Sequence, residues 1–475
     1  MAPRQSTTTG TDGTVTATDR GADLVVDLAE DRLTTWVPDA LGEGDFGAIA
    51  SDPGIAVPPL KACWLSVPRP AKPSVSVVCL PWSALVQLHL ATDGMREVVD
   101  ERLAPGVCGY RRGAERGSDY STEYLRFEAI TRGEAEAGAA VVYADIRRFF
   151  AHVPWQMVRD TVSNLPVSTV DLVAWSCDAE AAGLTSLPSG YGDSRLLANL
   201  VLSGIDDEIE VPFVRWIDDY RLFVKRGDDP AKHLARLVLS LSRSGFHLAD
   251  EKVQITKGSA GRDELASVYH PGVDSPDETR AALRSVWMSS AIDPIGKRRE
   301  LRFGLRRLAE QRDDIAVNFA ISQMQSLPWE APRLCAYLAE FVEDKPVQER
   351  VIELLMTALD ADDHWLLARL LPLACRVAPG AVDERSQQRT LCRLPSLADC
   401  APVWALALRF LGLQRCSGVV KMTESAEVPD ARAALAVRAD LGLSLSVPAA
   451  EFEPLTTLYL ETRGVAPLPR VDTLL

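Results

Sequence analysis

The sequence predicts an α+β domain with an antiparallel sheet, followed by an all-α domain. Residues 211–224 alternate apolar and polar side chains around an aspartate pair, a pattern typical of two strands of a hairpin. A second apolar run, residues 139–144, ends at Asp145 and indicates a buried strand. From about residue 280, apolar residues recur at helical spacing, which predicts the all-α domain.

The aspartate pair of the hairpin, Asp218 and Asp219, is the first candidate for chemistry. A pair alone carries little information, because the chain has others, at 206-207, 228-229, 313-314 and 362-363. Only Asp218 and Asp219 lie in an apolar, alternating context, and a turn selected for stability would favour Asn-Gly or Asp-Gly. Adjacent carboxylates repel each other unless a cation lies between them. Mg²⁺, which prefers oxygen ligands, is the expected cation, and a solvated loop is the alternative.

Asp145 supplies a third carboxylate. An acid at the end of an apolar strand is costly to bury unless it is paired or bound to metal, and two-metal phosphoryl transfer needs carboxylates that bridge the ions. Between the two segments, Pro188 and Gly190 open a loop before a helix with an apolar face, which suits a nucleotide or template backbone. After the hairpin, Lys252 precedes another short strand-like run.

The order of these segments resembles the palm of reverse transcriptases over roughly residues 80 to 290. Asp145 with the aromatic pair 149–150 resembles the first catalytic motif, and residues 187–190 with 194–199 resemble the second. Residues 216–219, Trp-Ile-Asp-Asp, resemble the aromatic-x-Asp-Asp box, and Lys252 resembles the lysine of the next motif. The resemblance implies a right-hand polymerase with fingers, palm and an antiparallel palm sheet.

Departures from the family pattern narrow the resemblance. Ser189 stands where many members carry Gln, Trp216 stands where they carry Tyr or Phe, and no RNase H-like or integrase-like segment follows. The chain is therefore most similar to bacterial abortive-infection and defence-associated reverse transcriptases, which commonly carry a helical-repeat extension. This resemblance implies antiviral defence, a HEAT-like α-helical repeat domain, and DNA synthesis that is protein-primed or untemplated.

The resemblance also implies roles at the metal site. Asp145 and Asp218 would ligate both of two Mg²⁺ ions, with the Ile146 carbonyl as a further ligand and Asp219 at the edge of the metal shell. Lys252 would protonate the departing pyrophosphate; a surface lysine at a strand end is the alternative.

Nucleotide contacts are expected beside the metal site. Phe150 matches the bulky residue that excludes a ribose 2′-hydroxyl, so deoxynucleotides (dNTPs) are the expected substrates; a core aromatic is the alternative. Ser189 and Gly190 would contact the nucleotide. Arg147 is a candidate for holding the triphosphate, as are the neighbouring Arg148 and an upstream pair, residues 111–112, although any one of them could be a solvated charge.

Composition places limits on this interpretation. The chain has 475 residues, room for two or three domains, and a net charge of −15, which is unfavourable for binding phosphates. Arg298, Arg302 and Arg306, however, recur every four residues and would line one helix face able to track a duplex, unless that face is merely solvated. No apolar run has the length of a membrane span. The nine cysteines lack a CxxC pair, which indicates free thiols and a cytoplasmic location.

Four regions are expected along the chain. Residues 1–21 form a disordered lead, 22–280 the reverse transcriptase fingers and palm, 281–312 a thumb-like basic helical segment, and 313–475 the helical-repeat domain. Predicted helices span 81–103, 315–325, 331–341, 348–359, 365–375, 402–413 and 431–441. Successive helices suggest a HEAT-like solenoid able to bind RNA, a partner or a second copy of the chain; a compact helical cap is the alternative.

The expected activity is RNA-directed DNA polymerisation with an RNA template and a DNA product. Copying of a dedicated non-coding RNA, as retron-like enzymes do, is one alternative. A non-catalytic scaffold acting through its helical repeats is the alternative of another class. For protein priming, the helical region offers two tyrosines, Tyr337 and Tyr459, whose alternative role is as packed or rim aromatics.

Overall fold

The computed structural model describes residues 60, 62–80, 82–109, 120–257, 276–423 and 437. Its larger sheet has the strand order β3-β5-β6-β4-β7. The strands are β3 (Val107–Cys108), β4 (Ala140–Asp145), β5 (Phe213–Trp216), β6 (Asp219–Val224) and β7 (Gln254–Lys257). β3 and β5 are parallel, and the other neighbours are antiparallel. The predicted hairpin is thus β5–β6, and the predicted strand ending at Asp145 is β4.

Helices cover both faces of this sheet. They are α1 (Trp82–Asp93), α2 (Arg96–Arg102), α3 (Tyr120–Glu136), α4 (Trp155–Val162), α5 (Val170–Ala181), α6 (Gly192–Asp206) and α7 (Pro230–Arg243). Successive side chains of a strand point to opposite faces. Tyr220 of β6 reaches Asp206 of α6, and the next residue, Arg221, reaches Thr131 of α3. α6 and α3 therefore lie on opposite faces of the sheet, which explains why β6 is buried almost throughout.

A two-stranded hairpin, β1 (Cys63–Arg69) with β2 (Lys72–Cys79), stands apart from that sheet. Cys63, Leu65 and Val67 alternate with more exposed residues, so one face of β1 is buried. That face belongs to the helical core and contacts the helix formed by His364–Ala374. The Cys63 thiol lies 3.8 Å from the Cys400 thiol, although the two residues are 337 positions apart in the sequence.

The C-terminal part is all helical. It comprises α8 (Pro276–Ile292), α9 (Arg298–Glu310), α10 (Val317–Gln323), α11 (Ala331–Leu338), α12 (Lys345–Asp360), α13 (His364–Ala374), α14 (Glu384–Arg393), α15 (Ala401–Leu413) and α16 (Val419–Thr423). α13 is buried on all sides and packs against α11, α12, α15 and β1. In a solenoid each repeat contacts only its neighbours, so a central α13 favours the compact alternative. The HEAT-like repeat remains a prediction.

The main elements agree with the sequence predictions, whereas some boundaries differ. The helix predicted over residues 81–103 is two helices, α1 and α2, separated at Gly94. Residues 22–80 were expected to join the fingers, but β1–β2 contributes to the helical core. The thumb-like segment does so too, through Leu301 and Leu305 of α9. The lead at 1–21 lies outside the described residues, as does the helix predicted at 431–441 apart from Val437.

Candidate active site

The turn between β5 and β6 consists of Ile217 and Asp218, so Asp219 already lies in β6, opposite Trp216. The turn is therefore one residue earlier than predicted. Ile217 has φ 56°, a left-handed value that a β-branched residue rarely adopts. Its carbonyl accepts a hydrogen bond of 2.8 Å from Arg215 Nη1. A strained backbone held by a buried side chain is a feature that clusters at functional sites.

The sheet brings the three predicted carboxylates together. Asp145 is the direct register partner of Asp219 on the neighbouring strand. The Ile146 amide donates to the Asp218 carbonyl at 3.1 Å, which fixes the turn against the end of β4. Residues far apart in sequence thus form one acidic edge, because β4 pairs with β6 and β6 follows the turn directly.

Electrostatic repulsion is concentrated at this edge. Burial and the Asp145 carboxylate raise the pKa of Asp218 to about 7. Burial also raises the pKa of Asp219 to about 6, with the Arg221 guanidinium opposing the rise and Asp145 adding to it. Arg221 Nη2 lies 3.7 Å from Asp219 Oδ2 and forms its closer bond, of 2.8 Å, with Glu128. The charged carboxylates therefore lack full compensation from the protein.

Lys252 is the main counter-charge of Asp145. Its Nζ lies 2.6 Å from Asp145 Oδ2, and it follows Asp250 in a short 3-10 helix, Asp250–Lys252. Lys252 is thus close to Asp145, one of the three predicted carboxylates, and its role in proton transfer stays a prediction.

Oxygen donors and excess negative charge fit Mg²⁺ in donor chemistry. Within the described residues, however, no three Asp, Glu, His or Cys side chains converge on one point suited to a metal ion. Lys252 holds one oxygen of Asp145, so the carboxylates form an acidic edge and not a closed ligand set. Asp145, Asp218 and Asp219, with the Ile146 carbonyl, are the groups that would hold the ions.

The predicted nucleotide-contacting residues differ in burial and in their partners. Phe150 is half-buried beside Phe149, whose ring packs 5.3 Å from that of Phe246 in the core. Of the two aromatics, Phe149 is therefore the core residue and Phe150 keeps an accessible face. Arg147 lies 3.4 Å from Glu251 and 3.5 Å from Asp250, so its guanidinium is shared with two carboxylates at the rim.

The loop of the second predicted motif precedes α6. Ser189 is half-buried, and Gly190 has φ 100°, a backbone conformation that glycine adopts without steric cost. Contacts of either residue with a nucleotide remain a prediction. The upstream arginines at 111–112 lie outside the described residues.

The basic face of α9 is not simply the solvent-facing surface that the sequence predicts, because two of its arginines form ion pairs within the protein. Arg298 and Arg302 both bind the carboxylate of Glu330, the Arg302 contact measuring 2.7 Å. Glu330 is fully buried, so these two guanidinium groups neutralise a charge within the helical core. Arg306 is 75% exposed and pairs with Glu310 on the same helix. Of the three arginines, Arg306 is the most exposed, whereas Arg298 and Arg302 are only partly exposed.

The two priming candidates have different outcomes. The Tyr337 hydroxyl is buried, donates to the Asp313 carbonyl and accepts from the Ala316 amide at 3.2 Å. Burial raises the pKa of this phenol above its ordinary value. Tyr337 therefore does not fit a priming role, because its oxygen is enclosed and already bonded. Tyr459 lies outside the described residues.

Sequence reasoning missed the buried charges behind the turn. Arg215 forms a bidentate pair with Asp206, at 3.0 and 2.6 Å, with both side chains fully buried. Tyr220 donates to the same carboxylate at 2.9 Å. The signal was an Asp at the end of α6 and an Arg within an apolar strand, two charges that tolerate burial only as a pair.

No protein-family model matches the sequence, and no curated protein shows significant similarity to it. Among the described residues, no helix is both long enough and apolar enough to span a membrane.

Proposed function

We propose that the protein is a DNA polymerase of the reverse-transcriptase type, which joins deoxynucleotides with two Mg²⁺ ions. The observation that carries the proposal is the register pairing of Asp145 with Asp219, one residue from the strained Ile217–Asp218 turn. Burial, with the Asp145 carboxylate adding to it, raises the pKa of Asp218 and of Asp219 at this edge. Such an arrangement weakens the fold and is retained where chemistry needs it.

The residues divide the chemical work among them. When bound, the metal ions would polarise the priming hydroxyl and neutralise charge on the triphosphate. Asp145 and Asp218 would supply the negative oxygens that hold these ions at the sheet edge. Lys252, whose ammonium group lies beside Asp145, would give a proton to the leaving pyrophosphate. Phe150, which is half-buried, would contact the sugar and favour deoxyribose, as the resemblance implies.

The biological setting is part of the same proposal. The motif order resembles that of defence-associated reverse transcriptases, and antiviral defence is the role this resemblance supports. An RNA template, including a dedicated non-coding RNA as in retron-like enzymes, and a second copy of the chain are the proposed partners. Sequencing the nucleic acid that co-purifies with the protein, before and after nuclease treatment, would identify the template class.

A non-catalytic scaffold is the second candidate, favoured by one observation. The carboxylates are not gathered into a closed ligand set among the described residues, and Lys252 already occupies one oxygen of Asp145. A scaffold would bind partners through its helical domain and would tolerate substitutions at the acidic edge.

One experiment separates the two candidates. Purified protein is supplied with labelled dNTPs, Mg²⁺ and a primed RNA, and incorporation is compared for the wild type, Asp218→Asn and Asp228→Asn. Asp228 is an exposed member of another Asp-Asp pair and provides the matched control. We expect Asp218→Asn to lower incorporation by at least about 100-fold and Asp228→Asn to leave it unchanged. Equal incorporation by all three proteins, or none by the folded wild type, would contradict the proposal.

A further inference from the structure

The Arg215 guanidinium is buried completely and makes more bonds than its ion pair needs. Nε and Nη2 satisfy the two oxygens of Asp206, at 3.0 and 2.6 Å. Burial alone would lower the pKa of Arg215, but the Asp206 carboxylate keeps it raised above the ordinary value. Nε and Nη2 thus satisfy both Asp206 oxygens before the remaining nitrogen, Nη1, is used.

The third nitrogen, Nη1, points at the turn. It donates to the Ile217 carbonyl at 2.8 Å and to the Asn199 side-chain oxygen at 2.8 Å. Asn199 in turn donates to the Gly109 carbonyl at 3.0 Å, and the Arg215 amide donates to the Gly106 carbonyl at 2.9 Å. The guanidinium thus connects α6, the strand β3 region and the turn that carries Asp218.

The turn requires such support because of its residue type. Ile217 has φ 56°, which a β-branched side chain disfavours. A hydrogen bond to the Ile217 carbonyl favours this conformation over relaxed alternatives. In the same conformation the Asp218 carbonyl accepts from the Ile146 amide, which places Asp218 beside Asp145.

We propose that Arg215 is a positioning residue that holds the strained Ile217–Asp218 turn and thereby places the Asp218 carboxylate beside Asp145. The inference rests on the proposed polymerase function for its catalytic consequence, whereas its geometric consequence is independent of any activity. Lysine cannot replace arginine here, because three donors on one nitrogen cannot serve both Asp206 oxygens, the Asn199 side-chain oxygen and the Ile217 carbonyl together.

The test uses Arg215→Lys, which keeps the charge, and Arg159→Lys as the matched control. Arg159 also forms a bidentate pair, with Glu180 at 2.8 and 3.2 Å, but does not touch the turn. The first readout is hydrogen exchange of the Ile146 amide, which reports the bond to the Asp218 carbonyl. We expect faster exchange in Arg215→Lys than in Arg159→Lys under conditions where both stay folded.

The second readout is steady-state incorporation of dNTPs. Misplacing Asp218 should lower kcat by roughly 100-fold, since displacements of about 1 Å have effects of that size, while KM for dNTP changes little. Glycine adopts a left-handed φ without steric cost, so Ile217→Gly should make the turn less dependent on Arg215. The double variant Arg215→Lys/Ile217→Gly should then lose less activity than the two single losses multiplied together.

The outcomes separate the two claims. Unchanged Ile146 exchange in Arg215→Lys, or losses that multiply independently in the double variant, would overturn the positioning role. Faster Ile146 exchange in a protein whose wild type incorporates no dNTP would support the positioning of the turn and would remove the polymerase function instead.

Discussion

Two regions of the protein treat their carboxylates in opposite ways. In the helical core, Glu330 is fully buried and two arginines, Arg298 and Arg302, bind its two oxygens. At the sheet edge, Asp218 and Asp219 lie against Asp145, and their pKa values are raised to about 7 and about 6. Compensated charge supports the fold, whereas uncompensated charge of one sign is the feature on which the proposed cation site rests.

Removing both arginines from Glu330 should produce the largest change in stability. Arg298→Met with Arg302→Met leaves a buried carboxylate without its counter-charges, and such losses cost roughly 3–5 kcal/mol of the free energy of unfolding. Chemical denaturation of the double variant measures the effect. Adding Glu330→Met should restore most of the stability, because the apolar trio no longer buries a charge. If the double variant were as stable as the wild type, Glu330 would not depend on these guanidinium groups.

The opposite result is expected at the sheet edge, where removing a charge should stabilise the fold. Asp218 has a folded-state pKa of about 7 against an ordinary value of 3.8. Between these values the folded protein binds a proton more tightly than the unfolded chain, so stability falls as pH rises from about 4 to about 7. Asp218→Asn should remove this loss. Above pH 7 its free energy of unfolding should exceed that of the wild type by on the order of 1–2 kcal/mol, after allowance for partial exposure of the site.

Denaturation curves at pH 4 and pH 8 check this prediction, with Asp228→Asn as the control on an exposed loop. The advantage of Asp218→Asn should be present at pH 8 and vanish near pH 4. An advantage that does not change with pH would mean that the repulsion between carboxylates is not the cause.

The smallest effect on stability is expected at Arg306. Its side chain is mostly exposed and pairs only with Glu310 on the same helix, a contact worth less than about 0.5 kcal/mol. Arg306→Ala should leave the denaturation midpoint almost unchanged. If α9 contacts a duplex, the same variant should weaken binding to an RNA–DNA hybrid. The salt dependence of the binding constant should then correspond to about one fewer released counterion. Unaltered hybrid affinity would restrict α9 to its structural role.

The sequence predicted the acidic edge well, because the local patterns that define it are short. Apolar runs ending at Asp145 and flanking Asp218 identified β4, β5 and β6, and antiparallel pairing then brings these ends together. The position of the turn was harder to predict from the sequence. It depends on the left-handed Ile217, which no propensity favours, and on a bond from Arg215.

Long-range packing accounts for most of what the sequence did not reveal. The β1–β2 hairpin precedes the sheet in the chain yet packs into the helical core, through contacts such as that between Cys63 and Cys400. Likewise, a four-residue spacing predicts that Arg298 and Arg302 share a helix face. It does not tell whether that face meets solvent or the buried Glu330.

The most direct measurement of the central claim is binding of Mn²⁺, a paramagnetic substitute for Mg²⁺, followed by electron paramagnetic resonance in the absence of nucleic acid. The wild type and Asp228→Asn should bind Mn²⁺ saturably with the same affinity, and Asp218→Asn should lose that binding. Because the cation would relieve repulsion among the three carboxylates, saturating Mn²⁺ should also raise the melting temperature of the wild type but not that of Asp218→Asn. Equal Mn²⁺ binding by Asp218→Asn and the wild type would contradict the assignment of this edge as a metal site.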